Sequence, residues 1–142
     1  MRIFAALLLG SVLVAAACGG AGSGAAGQPA TATTIAVSML DNAIKLDAPS
    51  AVAGKITSSV RRVGSVAHSL VVLKTNLDET KIPASAQDPS KVDERGSVGG
   101  LGQLQPGQSK DLTLDLAAGK YVLVCNEPGH YLSGMHTSFS VK

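Results

Sequence analysis

Three side chains able to bind a soft metal ion recur every five residues in Cys125-Asn126-Glu127-Pro128-Gly129-His130-Tyr131-Leu132-Ser133-Gly134-Met135. They are a thiol, an imidazole and a thioether. Cys and Met are common core fillers, and a lone loop His is usually a surface residue. The chain, however, holds only three His and three Met in 142 residues. Both offsets arising by chance has a probability on the order of a few in ten thousand. The apolar run Tyr121-Val122-Leu123-Val124 leads directly into Cys125 and reads as a strand. Pro128-Gly129 and Gly134 then stop any continuation and force a compact loop. The three donors therefore share one short loop at a strand terminus.

A thiolate, neutral imidazoles and a weak thioether are together the donors of a mononuclear copper centre that passes electrons. One imidazole is missing from the loop. His68, in Val66-Ala67-His68-Ser69-Leu70-Val71-Val72-Leu73, is the candidate, because a His buried in a sheet needs a partner. Alternation along the strands puts Tyr121, Leu123 and Cys125 on one face and His68, Leu70 and Val72 on another. If both faces point inward, thiol and imidazole meet at one end of the molecule.

The pattern Leu116-x-x-Gly119-x-Tyr121-x-x-x-Cys125-x-x-Pro128-Gly129-His130-x4-Met135, with an upstream strand His, resembles the cupredoxins. Its loop spacing and Pro-Gly-His are most similar to those of the rusticyanin and auracyanin kind, and the likeness runs from Ile35 to Lys142. The resemblance implies a type 1 blue-copper site holding one Cu(I)/Cu(II) ion, with His68, Cys125 and His130 arranged trigonally and Met135 as a long axial ligand. Ser69 stands where azurins and plastocyanins usually have Asn; rusticyanin is similar to this chain in having Ser. The resemblance implies that the Ser69 backbone N–H bonds the Cys125 sulfur, as a weaker clamp with a raised potential. It also makes His130 the solvent-edge ligand, ringed by Pro128, Tyr131 and Leu132 where redox partners dock. Strand parity turns His136 away from the metal and makes it a surface residue. Met39 reads as core, and Glu127 would serve as an axial donor only if Met135 failed to approach.

The totals agree with a small single-domain β protein. Hydrophobic residues make up 45% but aromatics only 3%, with 16 Gly and no Trp, which favours short strands over long helices. A net charge of +2 is too small to indicate nucleic acid. Arg61-Arg62, the basic pair, reads as a solvated strand end. Cys18 and Cys125 are not expected to form a disulfide, since a thiol that binds metal as thiolate cannot also be oxidised.

Residues 1–17 read as a signal peptide, a positive start followed by an apolar run too short to span a bilayer comfortably. Ala15-Ala16-Ala17-Cys18 resembles a lipoprotein box, with Ala15 where Leu is usual; the alternative is cleavage at Ala15-x-Ala17 by an ordinary signal peptidase, releasing a soluble secreted form. Residues 18–34 are then a lipidated N-terminus at Cys18 and a charge-free flexible tether, and residues 35–142 a single domain. Strands are predicted at Ile35–Met39, Ile44–Asp47, Lys55–Arg62, Val66–Lys74, Ser109–Leu116, Tyr121–Cys125 and Thr137–Val141. Val98–Leu104 is a strand or a loop packed near the metal. Residues 75–95 form a long excursion with a helical turn near Asn76–Lys81. Seven to eight strands without βαβ alternation indicate an all-β, Greek-key, cupredoxin-like β-sandwich.

The expected function is a monomeric, membrane-tethered copper protein that shuttles single electrons between redox proteins at the outer face of the cytoplasmic membrane, facing periplasm or exterior. It is not expected to be an enzyme: copper oxidases and nitrite reductases need more His ligands, and only His136 is left over. The alternative is an extracytoplasmic copper-handling lipoprotein that delivers or buffers the ion, against which Cys125 argues. Met is a poor zinc ligand, so zinc catalysis is disfavoured.

Overall fold

A computed structural model describes residues 32–142; the expected signal peptide and the expected lipidation site Cys18 lie outside the described residues. Nine strands run in chain order: β1 (Thr33–Leu40), β2 (Ala43–Leu46), β3 (Ser50–Ala51), β4 (Gly54–Arg62), β5 (His68–Lys74), β6 (Ser97–Leu104), β7 (Ser109–Leu116), β8 (Gly119–Val124) and β9 (His136–Val141). They form a four-stranded sheet, β2-β1-β4-β7, and a five-stranded sheet, β3-β9-β8-β5-β6. The fold is the all-β sandwich that the strand pattern predicts. The strand beyond the expected seven or eight is β3, which pairs with β9 through two residues, too few for periodicity to reveal.

Alternation packs the sandwich. Ile35, Val37 and Met39 of β1 and Ile56 and Val60 of β4 point inward, meeting Leu70 and Val72 of β5, Tyr121 and Leu123 of β8 and Phe139 of β9. Cys125 and Met135 belong to the same buried cluster, so the metal-binding end is continuous with the core. Leu116 of β7 is buried, and Leu112 and Leu114 on its face pack partly against the core.

Three expectations are corrected. First, β5 begins at His68 and not at Val66. The backbone of Val66 is engaged elsewhere: its N–H donates to the Asp41 carboxylate and its carbonyl accepts from Arg62. Second, Arg62 is not a solvated strand end. It occupies an inward position of β4, two along from Val60, and is 1% exposed, whereas Arg61 is exposed. Third, no helix forms at Asn76–Lys81, only a single turn closed by the Lys81 N–H donating to the Asp78 carbonyl (2.9 Å). Thr75 Oγ1 accepts from the Leu77 N–H and Asp78 Oδ1 from the Thr80 N–H. Side chains thus satisfy the backbone groups that a helix would have paired.

The 75–95 excursion has a definite task. Val71 and Leu73 of β5 and Val122 and Val124 of β8 point away from the main core, yet are buried in a second cluster with Ile82, Val92 and Tyr131. The excursion covers the outer face of the central strands. Leu70–Leu73 and Tyr121–Val124 are continuous apolar runs, the sign of strands buried on both faces.

Candidate metal centre

β5 and the loop after β8 bring the site together from residues far apart in the chain. β5 pairs with β8 from Val71↔Val124 to Lys74↔Tyr121, which sets His68 beside the strand end where Cys125 follows. On the other side of β5, the pairing with β6 shifts between His68 and Leu70. Gly100 permits this close approach, because a Cβ there would lie 2.3 Å from the Leu70 carbonyl oxygen.

Past Cys125 the loop closes on itself. The Cys125 N–H donates to the Met135 carbonyl (3.0 Å) and the Met135 N–H to the His130 carbonyl (3.1 Å). Gly129 adopts a φ of 78° and Gly134 one of 99°, left-handed conformations that glycine takes without strain. The excursion clamps the loop from outside. Asn126 is buried; its Oδ1 accepts from the Val92 N–H (2.8 Å), and its Nδ2 donates to the Val92 carbonyl (3.2 Å) and to Glu94 Oε1 (2.7 Å). The Gly129 N–H donates to the Ser90 carbonyl at 2.8 Å. Sequence reasoning missed Asn126, although an amide directly after a candidate ligand was the signal available.

His68, Cys125 and His130 converge. The His68 and His130 Nδ1 atoms are 3.0 Å apart, and Cys125 Sγ lies 3.7 Å from the first and 3.4 Å from the second. A point equidistant from atoms so separated lies about 2 Å from each, the length of a first-row metal–imidazole bond. The rings meet nearly edge to face, at 77°, and both turn the same nitrogen toward the thiol. His68 and Cys125 are fully buried and His130 half-buried, while Met135, also fully buried, closes the loop beside them. Two imidazoles, a thiol and a neighbouring thioether fit copper. Cys125 is a free thiol.

The electrostatics favour a neutral imidazole at His68 and, without a bound cation, a protonated thiol at Cys125. Burial, with the nearby charges of Arg62 and His130, lowers the His68 pKa. Burial pushes the Cys125 thiol up; the backbone N–H groups of Glu127 and Ser69 and the Ser69 hydroxyl pull the other way. A bound cation supplies the remaining stabilisation, since a coordinating thiol is deprotonated outright.

The expected rim is only partly realised. Leu132 is 74% exposed and Pro128 is exposed, both next to His130. Tyr131 is not on the rim: it is buried in the second cluster, its hydroxyl donating to the Glu79 carbonyl (2.8 Å) and accepting from the Ile82 N–H (3.0 Å). Its ring size and the need to satisfy its hydroxyl draw it inward. His136 stands outside the cluster, as parity predicts, but is half-buried rather than a surface residue. It packs on Tyr131, with Nδ1 3.4 Å from Glu79 Oε1. Met39 is core, as expected, and Glu127 lies within reach of Gln103 Nε2 at 3.4 Å.

No sequence-family profile matches the chain, and no characterised relative matches it. Solved structures do. Dithionite-reduced auracyanin from the photosynthetic bacterium Roseiflexus castenholzii is similar at 27% identity and a TM-score of 0.61, over 78% of this chain and 98% of that one. Auracyanin A of Chloroflexus aurantiacus, described as a blue copper protein, matches at 20% identity and a TM-score of 0.57, over 78% and 98%. Rusticyanin from Thiobacillus ferrooxidans matches at 18% and 0.58, over 79% of each chain. Strand order, the convergent His68–Cys125–His130 cluster and this likeness lead to one conclusion: the chain has a cupredoxin-like fold, and its site fits one copper ion of the blue type.

Proposed function

We propose that this protein carries single electrons on one copper ion held by His68, Cys125, His130 and Met135. The observation that carries the reading is the triangle of two imidazole nitrogens and one sulfur, 3.0 to 3.7 Å on a side, at the buried end of the sandwich. Copper bound there supplies a one-electron Cu(I)/Cu(II) couple, the soft sulfur donors favouring the reduced ion and the imidazoles accepting the oxidised one. The residues contribute a preformed, water-excluding pocket. His68 is fixed at a strand start between two neighbouring strands, and the loop donors are fixed by the Cys125–Met135 and Met135–His130 backbone bonds. Donors held in this way move little when the charge of the ion changes, which keeps electron exchange fast.

His130 is the half-buried ligand and the route for electrons. Pro128 and Leu132 beside it offer a small apolar contact suited to brief docking of redox proteins. Export with a lipid anchor at Cys18, placing the domain at the outer face of the membrane, rests on the leader sequence. A carrier, rather than an enzyme or a copper-delivery protein, is favoured by the buried thiol. Among the described residues, His68, Cys125 and His130 form the one group of three side chains able to hold a metal ion.

Loading the protein with Cu(II) and recording optical and EPR spectra tests the reading. The expected result is an intense visible thiolate-to-copper band that disappears in Cys125→Ser. A Cys125→Ser variant keeping the same band would overturn the assignment.

A further inference from the structure

Behind His68, on the side away from the other donors, lies an ion pair between Arg62 and Asp41. Arg62 ends β4 on its inward face with a side chain 0% exposed. All three edges of its guanidinium are engaged: Nε donates to the Val66 carbonyl, Nη1 to the Met39 carbonyl (3.1 Å) and Nη2 to Asp41 Oδ1 (2.7 Å). Asp41 in turn accepts from the Ser65 N–H (2.8 Å), the Ser65 hydroxyl (3.0 Å) and the Val66 N–H (3.1 Å). Space for the pair is built in. A Cβ on Gly64 would lie 2.0 Å from Asp41 Oδ1 and 2.6 Å from Arg62 Nη1.

The pair borders the centre. Nδ1 of His68 faces the other donors, and Nε2, at the back of the ring, is buried with no aligned hydrogen-bond partner, 3.8 Å from Asp41 Oδ1. The two charges are not equally hidden. The Asp41 side chain is 39% exposed and lines a surface cleft with Leu40, Lys45 and Val63, so water weakens its field. Arg62 has no such screening. A buried ion pair is a poor stabilising device, because apolar residues of similar volume often serve as well or better. Its presence in the core cluster's inward row, beside a ligand, points to a different task.

We infer that Arg62 is a positioning residue of the metal centre and also its fixed positive charge, holding the segment that leads into His68 and favouring the less positive oxidation state of the bound ion. Asp41 is the screened counter-charge that moderates it. The inference rests on the copper reading above and adds a sign to it: the net field of the pair raises the reduction potential.

Spectroelectrochemical titration of the copper-loaded wild type, Arg62→Gln, Arg62→Lys and Asp41→Asn tests this. Arg62→Gln removes the cation and leaves the carboxylate, so the Cu(I)/Cu(II) ratio at fixed ambient potential should fall about tenfold, equivalent to about 59 mV for one electron. Asp41→Asn leaves the cation unmoderated and should shift the potential upward. Arg62→Lys keeps the charge while losing the fork, and should stay near wild type. Loosening of the structure alone would move the Gln and Asn variants in the same direction, so shifts of the same sign overturn the inference. So does an unshifted Arg62→Gln, or an Arg62→Lys that falls as far as Arg62→Gln. If Arg62→Gln does not fold, Asp41→Asn decides: an upward shift supports the inference, and no shift or a downward one overturns it. A blue wild type with unshifted variants refutes this inference alone; a colourless wild type refutes the copper reading and this inference with it.

Discussion

The two halves of the metal centre are held by opposite means. His68 sits at the start of a central strand, between β6 and β8, with a half-buried ion pair behind it. Cys125, His130 and Met135 sit on a loop whose shape comes from its own backbone bonds and from the excursion clamped across it. The strand half is rigid because it belongs to the sheet. The loop half is rigid because residues some thirty positions earlier tie it down. A centre that must keep its donors still while its charge changes needs both supports, and each can be broken separately.

The largest expected effect is on the strand half. Gly100→Ala would drive a Cβ into the Leu70 carbonyl oxygen, a backbone atom that cannot rotate away. Overpacking of this kind costs about 3 kcal/mol, measurable as a lowered midpoint in denaturant unfolding of the metal-free protein. A change near zero would mean that β6 does not fix β5 as described.

On the loop half, Asn126→Ala strips both partners from the buried Val92 backbone and one from Glu94. Leaving such groups unsatisfied costs about 2 kcal/mol. The loss should be accompanied by faster hydrogen exchange in the loop while β5 remains protected. Equal loosening of both halves would contradict their independence.

This division explains what the sequence disclosed. The donors were legible because Cys125, His130 and Met135 recur at a fixed spacing after an apolar run, and most strands because their inward residues alternate. Tyr131 was misplaced because an aromatic beside a solvent-edge ligand reads as rim unless the excursion that buries it is known. That excursion has sparse apolar residues, Ile82 and Val92, spaced by no period, so nothing local announced that it covers a sheet. Arg62 was the harder miss. Its charge suggested solvent, whereas its place in the series Ile56, Ser58, Val60, Arg62 put it inward, and parity proved the better guide.

The smallest effect concerns acid. Hydrogen bonds from the Val66 backbone, Arg62 and Ser65 outweigh partial burial and lower the Asp41 pKa from 3.8 to about 2. A depressed carboxyl contributes stability that is complete above its unfolded value and is lost as pH falls from about 3.8 toward 2. The stability difference between the metal-free wild type and Asp41→Asn should therefore hold steady above about pH 5 and narrow on acidification. A difference that stayed constant to pH 2 would show that Asp41 is not held ionised by this network.

The most direct test of the centre itself is X-ray absorption at the copper edge of the loaded protein. Convergence of His68, Cys125 and His130 on one ion predicts two imidazole nitrogens and one short sulfur contact, with the sulfur lost in Cys125→Ser. A shell of nitrogen and oxygen alone in the wild type would contradict it.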